Sequence, residues 1–293
     1  MTTLTFRNAN NKSVTFSNRK PFILTTIEGL DVPDITVQTY KGLKQDGVTY
    51  IDNTLNERAI SLEAVIIANT YNELAELRRR LIEVFNPKLG LGELIFDDGL
   101  RQLKIPAIID GAPILPGGSS NQSDRFQRVL ITFYCPTPLW QELTENIVNM
   151  ALWVGVFQFP LNIPETGIIM GYKEESIIAN VVNNGDVPCG IRIEFKALGS
   201  VVNPYIVNLN SQDMIKINKT MQAGEIITVT THFGNKKVTS EMNGVVNNIF
   251  QFVDPASVFL QLDIGDNILR YGADAGEESL EVNIFYSPQF LGV

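Results

Sequence analysis

One histidine, His232, stands between Thr231 and Phe233 at the end of an alternating segment. General-base and nucleophilic mechanisms lean most on histidine; a lone one at a strand end reads as polar surface. The two cysteines, Cys135 and Cys189, are too few for a disulfide framework or a four-ligand zinc site and read as small buried hydrophobes. Paired carboxylates occur at Asp97-Asp98 and Glu277-Glu278. Glycosidase chemistry needs two such groups facing one another across a sugar, whereas sequence neighbours on a strand point to opposite faces. Beside Gly99 and Gly276 these pairs read as turns. Asp263, Asp266 and Asp274 form a loose acidic set without the spacing of a calcium loop and read as solvated turns. Gly90-Leu-Gly92 is too short for a dinucleotide fingerprint and lacks the Lys-Ser/Thr ending of a phosphate loop. Arg78-Arg79-Arg80 suggests a phosphate grip, but Glu76 precedes Arg80 by four residues and Glu83 follows Arg79 by four, the pattern of a solvated, salt-bridged helix face. No catalytic, cofactor-binding or metal-ligating residue is assigned, and the chain is expected not to be an enzyme.

The elements around these residues are mostly strands. Ile191-Arg-Ile-Glu-Phe-Lys196 alternates apolar and charged side chains, as a half-buried antiparallel strand does. Similar runs cover Ala59 to Ala68, Phe126 to Cys135, Tyr205 to Leu209, Ile226 to Thr231, Val258 to Leu262 and Leu280 to Tyr286. One helix is expected over Tyr71 to Phe85. Leu74, Leu77, Leu81 and Phe85 recur at helical spacing, Thr70-Tyr-Asn-Glu73 has the capping-box form, and Asn86-Pro87 ends it. Many short strands punctuated by turn residues imply a sandwich or barrel.

The chain has 293 residues, about twice the usual length of one domain. Two prolines in Cys135-Pro-Thr-Pro-Leu-Trp140 end a strand, so a boundary is expected near residue 145, giving domains 1–145 and 146–293. With 23 basic against 32 acidic residues the net charge is −9, the wrong sign for a protein that binds by neutralising phosphates. The acidity is concentrated in the second part, with 8 basic and 15 acidic residues against 15 and 17 in the first. Residues 111–124 are rich in Pro, Gly, Ser and Asn and read as a flexible loop or an arm for a neighbour. The N terminus shows no secretory signal. The most apolar stretch, Ala151 to Phe157, is well short of the ~20 residues of a membrane helix.

In order, these pieces resemble the distal tail protein family of long-tailed, siphovirus-type bacteriophages. The resemblance rests on Arg19-Lys-Pro-Phe22, Ile27-Glu-Gly29, the strand from Ile60, the helix from Tyr71, Gly92-Glu-Leu-Ile-Phe-Asp97 and Phe133-Tyr-Cys-Pro-Thr-Pro-Leu-Trp140. In the second half it rests on Val181-Val-Asn-Asn-Gly-Asp-Val-Pro188, Asn203-Pro-Tyr205, Gly224-Glu-Ile-Ile227, Leu262-Asp-Ile-Gly-Asp-Asn267 and the stretch from Ile284 to Val293. It implies an N-terminal split-barrel-like β domain carrying one helix and a C-terminal galectin-like β-sandwich. It further implies a six-fold homo-oligomeric ring at the virion tail tip, synthesised in the host cytoplasm. The expected partners are the major tail tube protein and a tail-tip hub, tail-associated lysin or receptor-binding protein, with DNA sliding through the lumen. A defective prophage particle would use the same ring. The alternative reading is a carbohydrate-binding module for host-wall attachment. True galectins hold sugar with His-x-Asn-Pro-Arg and Trp-Gly-x-Glu strands, whereas here the histidine reads His232-Phe-Gly-Asn. The tryptophans, Trp140 and Trp153, flank the domain junction, and Trp153 is expected to be buried. A wall-degrading hydrolase ranks last.

Overall fold

The computed structural model describes residues 2–150, 152–155, 171–174 and 177–293. The chain divides into two compact units, Met1–Leu143 with Gln289–Val293, and Thr144–Pro288. The second therefore stops short of the C terminus, and the last five residues belong to the first.

Unit 1 contains strands β1 (Thr3–Arg7), β2 (Ser13–Phe16), β3 (Phe22–Glu28), β4 (Ile35–Tyr40), β5 (Thr49–Leu55) and β6 (Arg58–Ile67), then helix α1 (Tyr71–Val84). After the helix come β7 (Gly92–Asp97), β8 (Gln102–Ile109), β9 (Phe126–Cys135) and β10 (Trp140–Glu142). Seven strands pair in the order β2-β1-β7-β8-β9-β6-β3, and a bridge from Ser17 to Ile23 joins the two ends of the series. Alternation dictates which face is buried: Ile60, Leu62, Ala64 and Ile66 point inward from β6, and Val129, Ile131, Phe133 and Cys135 from β9. The helix packs against this core with Leu74, Leu81, Val84 and Phe85. Its capping box forms: Thr70 Oγ1 accepts from the Glu73 N–H at 3.2 Å, and Glu73 Oε2 accepts from the Asn69 N–H at 2.7 Å. Phe6, Phe16, Phe85 and Phe133 pack together between sheet and helix, Phe6 and Phe85 stacked with centroids 4.9 Å apart and the other pairs tilted.

In unit 2 the strands are β11 (Asn146–Asn149), β12 (Leu152–Gly155), β13 (Gly171–Glu174), β14 (Ile178–Asn183), β15 (Cys189–Ala197), β16 (Val201–Val202), β17 (Tyr205–Asn208) and β18 (Met214–Lys216). They continue with β19 (Thr220–Met221), β20 (Ile226–Thr230), β21 (Lys237–Met242), β22 (Val245–Asn248), β23 (Gln261–Leu262), β24 (Gly265–Gly272) and β25 (Leu280–Tyr286). One sheet runs β11-β25-β15-β20-β21-β22 and a second β14-β24-β17-β18. Ile191, Ile193, Phe195, Val229, Val282 and Ile284 from the first sheet share one core with Val181, Ile206, Ile215, Leu269 and Tyr271 from the second. The final strand, β26 (Gln289–Phe290), pairs with β10 in unit 1.

Two expected features differ. The run from Val258 is a strand only over Gln261–Leu262, because Val258 donates its N–H to Met214 O from an irregular segment. Asp266 lies within β24, where it is exposed and paired with Asn180 Nδ2 at 2.7 Å; the flanking Asn267 is buried, which sets the alternation of that strand.

Candidate assembly surfaces

His232 is half-buried rather than surface polar. A Cβ on Gly190 would lie 2.7 Å from the His232 Cα, so that glycine lets the segment pack down. Burial lowers the imidazole pKa below its ordinary 6.5, the charge on Glu145 opposing and that on Arg192 adding to the shift. Arg192 sits over the Phe285 ring, 3.7 Å from its centroid, and bonds Glu194 and, at 2.9 Å, Glu145. This neighbourhood holds a guanidinium and two carboxylates in mutual compensation and no nucleophile. Burial pushes both thiols, Cys135 and Cys189, up to about 12, so they stay protonated. Asp97 and Asp98 serve turns, their Oδ1 atoms accepting from the Gly99, Leu100 and Arg101 N–H groups at 2.7 Å each. Glu277 and Glu278 open a 3₁₀ turn after Gly276, whose φ of +77° and close approach to Ser200 O exclude a side chain. Asp274 is taken by Lys216 at 2.8 Å and Asn203 at 2.8 Å, away from Asp266 and its Asn180. Among the described residues no group of three or more His, Cys, Asp or Glu side chains is placed to hold a metal. No described helix is long and apolar enough to cross a membrane.

The arginine run has a different job from the one its spacing suggests. Arg78 donates to Gln127 and, at 3.4 Å, to Gln122; Arg80 donates to Ser13 O at 3.2 Å; and Glu83 pairs with Lys12 rather than principally with Arg79. Gln127, fully buried in β9, passes the connection on by donating to Pro116 O at 2.9 Å. Residues 111–124 are consequently tied to their own sheet. Ile114 and Leu130 exchange two backbone bonds, and Arg128 N–H reaches Asn121 O at 2.8 Å. Backbone pairing along β9 overrides the turn-rich composition of this loop.

Arg58 was not distinguished by its sequence neighbours. It is 3% exposed at the start of β6 and donates only to carbonyls: Pro138 at 3.0 Å, Gly29 at 2.9 Å, Asp31 and Leu291. Burial lowers its pKa, with Cys135 and Asp31 acting the other way. The guanidinium carbon lies 6.0 Å from the centroid of Trp140, which is wholly buried and so displays no platform for a sugar. The side chain of Trp153 lies outside the described residues. Gly29 explains its place in Ile27-Glu-Gly29: its φ is +86°, and a Cβ would meet Ala59 O at 2.2 Å. In unit 2 the motif asparagines are buried caps. Asn183 donates to Val187 O and Leu262 O and accepts from Gly185 N–H; Asn267 donates to Asp263 O and Gly265 O.

Among the described residues the hairpin of β4 and β5 pairs with no other strand, and Ile35, Val37, Tyr40, Leu43, Val48, Tyr50 and Ile51 on it are all exposed. A depression crosses the outer face of β3, β6 and β9, lined by Glu28, Glu63, Val65, Ile114, Arg128 and Leu130.

A family model for the phage tail protein RIFT-related domain matches residues 9–135, and one for the C-terminal domain of a siphovirus-type tail component matches residues 184–290. The chain belongs to the distal tail protein family of siphovirus-type phages. The crystal structure of the phage SPP1 Dit protein, described as a paradigm of the hub adsorption apparatus in phages infecting Gram-positive hosts, aligns at 15% identity with a TM-score of 0.67, covering 99% of each chain. The activated phage P2 baseplate with Ca aligns at 9% identity with a TM-score of 0.58, covering 100% of this chain and 99% of that one. The same baseplate with Sr aligns at 10% with the same score and coverage. No curated protein matches by sequence. At these identities the structural likeness fixes the fold, mainly β in both units; the structural tail role follows from the family.

Proposed function

We propose that this chain forms a six-fold ring at the tail tip, joining the tail tube to a hub, fibre or baseplate, and that it has no enzymatic activity. The observation that carries the reading is the succession of the two tail-protein families along one chain, in the order in which the SPP1 Dit fold aligns end to end. Unit 1 supplies the ring and unit 2, taken as galectin-like, faces the partners. The part that would line the lumen, residues 1–145, carries 15 basic against 17 acidic residues, so it has no cationic excess with which to grip passing DNA. Negative-stain microscopy with light scattering on the full chain, alone and co-expressed with the adjacent tail tube and hub proteins, tests this. Rings of six with an open centre are expected. A chain that stays monomeric even with both neighbours overturns the ring, and cell-wall pull-down by that monomer would establish the glycan-binding alternative in its place.

A further inference from the structure

On the outer face of the β14-β24-β17-β18 sheet, cross-strand register sets Gly272, Tyr205 and Lys216 in one row and Ile178, Arg270, Val207 and Met214 in the next. Ile206, Ile215, Leu269 and Tyr271, the positions between them, are buried, so alternation turns both rows away from the core. Gly272 puts no side chain into its row, and Tyr205 takes the space. A Cβ built on Gly272 would lie 2.5 Å from the Tyr205 hydroxyl oxygen and 2.6 Å from the ring carbon that bears it. The phenol therefore lies down across β24 instead of standing off the sheet. Covering a cross-strand glycine accounts for one face of the ring. The residue is nevertheless only half-buried, and the other face is turned outward.

Polar groups are already fixed at the rim of this ring. Lys216 Nζ donates to both carboxylate oxygens of Asp274, at 2.8 and 2.9 Å, and Asn203 Nδ2 donates to Asp274 Oδ2 at 2.8 Å. A carboxylate held in this way keeps lone pairs for further hydroxyl donors. Two residues before Gly272 on the same strand, and so about 7 Å along it, stands Arg270. It is exposed, and among the described residues it has no ion pair or hydrogen-bonding side-chain partner. Residues 146–293 carry only 8 basic against 15 acidic residues, so a free guanidinium here singles out this face for an anionic group. A flat ring open on one side, hydroxyl-binding groups at its edge and an unpaired cation within one sugar's length suit one kind of ligand. The ring takes the apolar C–H face of a pyranose, the rim its hydroxyls, and the guanidinium fork a carboxylate through two parallel bonds.

We propose that Tyr205, laid on Gly272, is the platform of a saccharide subsite in unit 2 for a carboxylated pyranose, a uronic acid of a surface polysaccharide. Arg270 receives the carboxylate, and Asp274 with Asn203 and Lys216 receives the ring hydroxyls. The site goes beyond the ring reading and does not rest on it. Saturation-transfer difference NMR on the full chain, with glucuronate and galacturonate against glucose and galactose, tests it. Transfer to the ring protons of a uronate is expected, with affinity for the neutral parent lower by about tenfold. Gly272→Ala pushes the phenol off the sheet; the clashing atoms are the far end of a side chain, so circular dichroism and the urea midpoint are expected to change little. Its affinity for uronate and neutral sugar alike is expected to fall by about tenfold. Arg270→Gln is expected to bring the uronates down to the level of the neutral sugars and to leave the latter unchanged. Absence of transfer to every one of the four sugars overturns the subsite, as does uronate binding that survives Gly272→Ala intact. Equal losses for charged and neutral sugars in Arg270→Gln overturn the role given to the guanidinium. Light scattering and microscopy of both variants are expected to match the wild type, so failure of this site and failure of the ring are read separately.

Discussion

Between sheet and helix, unit 1 is filled by rings, Phe6, Phe16, Phe22, Phe85 and Phe133 with Phe96 and Trp140 nearby, whereas the space between the sheets of unit 2 is filled mainly by isoleucine, valine and leucine. The buried charges differ in sign as well. Unit 1 hides the Arg58 guanidinium among carbonyls; unit 2 hides the Glu225 carboxylate, 2% exposed, against Lys219, Ser240 and the Gln222 N–H. The difference follows from geometry. A helix laid over a strongly curved sheet leaves an uneven gap that a few large planar groups fill, while two pleated faces interdigitate through branched side chains of similar size. The cation goes where chain ends leave carbonyls without strand partners, and the anion where a tight turn leaves N–H and hydroxyl donors.

From that contrast Phe85→Ala is expected to be the most damaging single truncation, costing about 3–5 kcal/mol. Peptide-resolved hydrogen exchange is expected to show the loss of protection confined to unit 1. Arg58→Ala follows at about 3 kcal/mol, because four carbonyls lose their donor at once, and Arg58→Lys does not rescue it since an ammonium cannot span the fork. Protection loss that stays at β6 and spares residues 289–293 would contradict the role given to this side chain. For Glu225→Gln a loss of about 1–3 kcal/mol confined to unit 2 is expected. Burial alone would raise the Glu225 pKa, but bonds from Lys219, Ser240 and Gln222 together bring it below its ordinary 4.5. Its contribution is then present above pH 4.5 and lost as the pH falls through the lower folded value, and the variant flattens that part of the urea-midpoint profile. The smallest effect belongs to His232. With its folded pKa below 6.5, the unfolded chain takes up a proton that the folded chain refuses, so stability drops as the pH falls below about 6.5. His232→Gln removes that slope in unit 2 and leaves unit 1 unchanged.

Where periodicity was strong the sequence was readable. β9 spans Phe126–Cys135, β25 spans Leu280–Tyr286, and the helix with its Thr70 cap departs from expectation by one residue at its end. The hairpin was not legible, because Ile35, Val37, Tyr50 and Ile51 face solvent in the monomer and a pattern-based reading assumes that apolar side chains have a core to enter. Nor were Arg58 and Gln127, whose partners Leu291, Pro138 and Arg78 are remote in sequence. Motif glycines and asparagines were visible as turn chemistry, but their reasons, a 2.2 Å approach at Gly29 and carbonyl caps at Asn183 and Asn267, exist only once strands are packed.

Unit 2 begins after Leu143 and ends at Pro288, between two strands, β10 and β26, that pair antiparallel with Trp140 opposite Phe290. In topological terms the whole of unit 2 is a cargo spliced into the turn of a hairpin belonging to unit 1. A short turn joining Glu142 to Gln289 would close that hairpin without it, and a different module spliced at the same point would inherit the same two-stranded stem. A module of another kind at that point would leave the hydrogen bonds that define unit 1, Arg58 to Leu291 included, as they are.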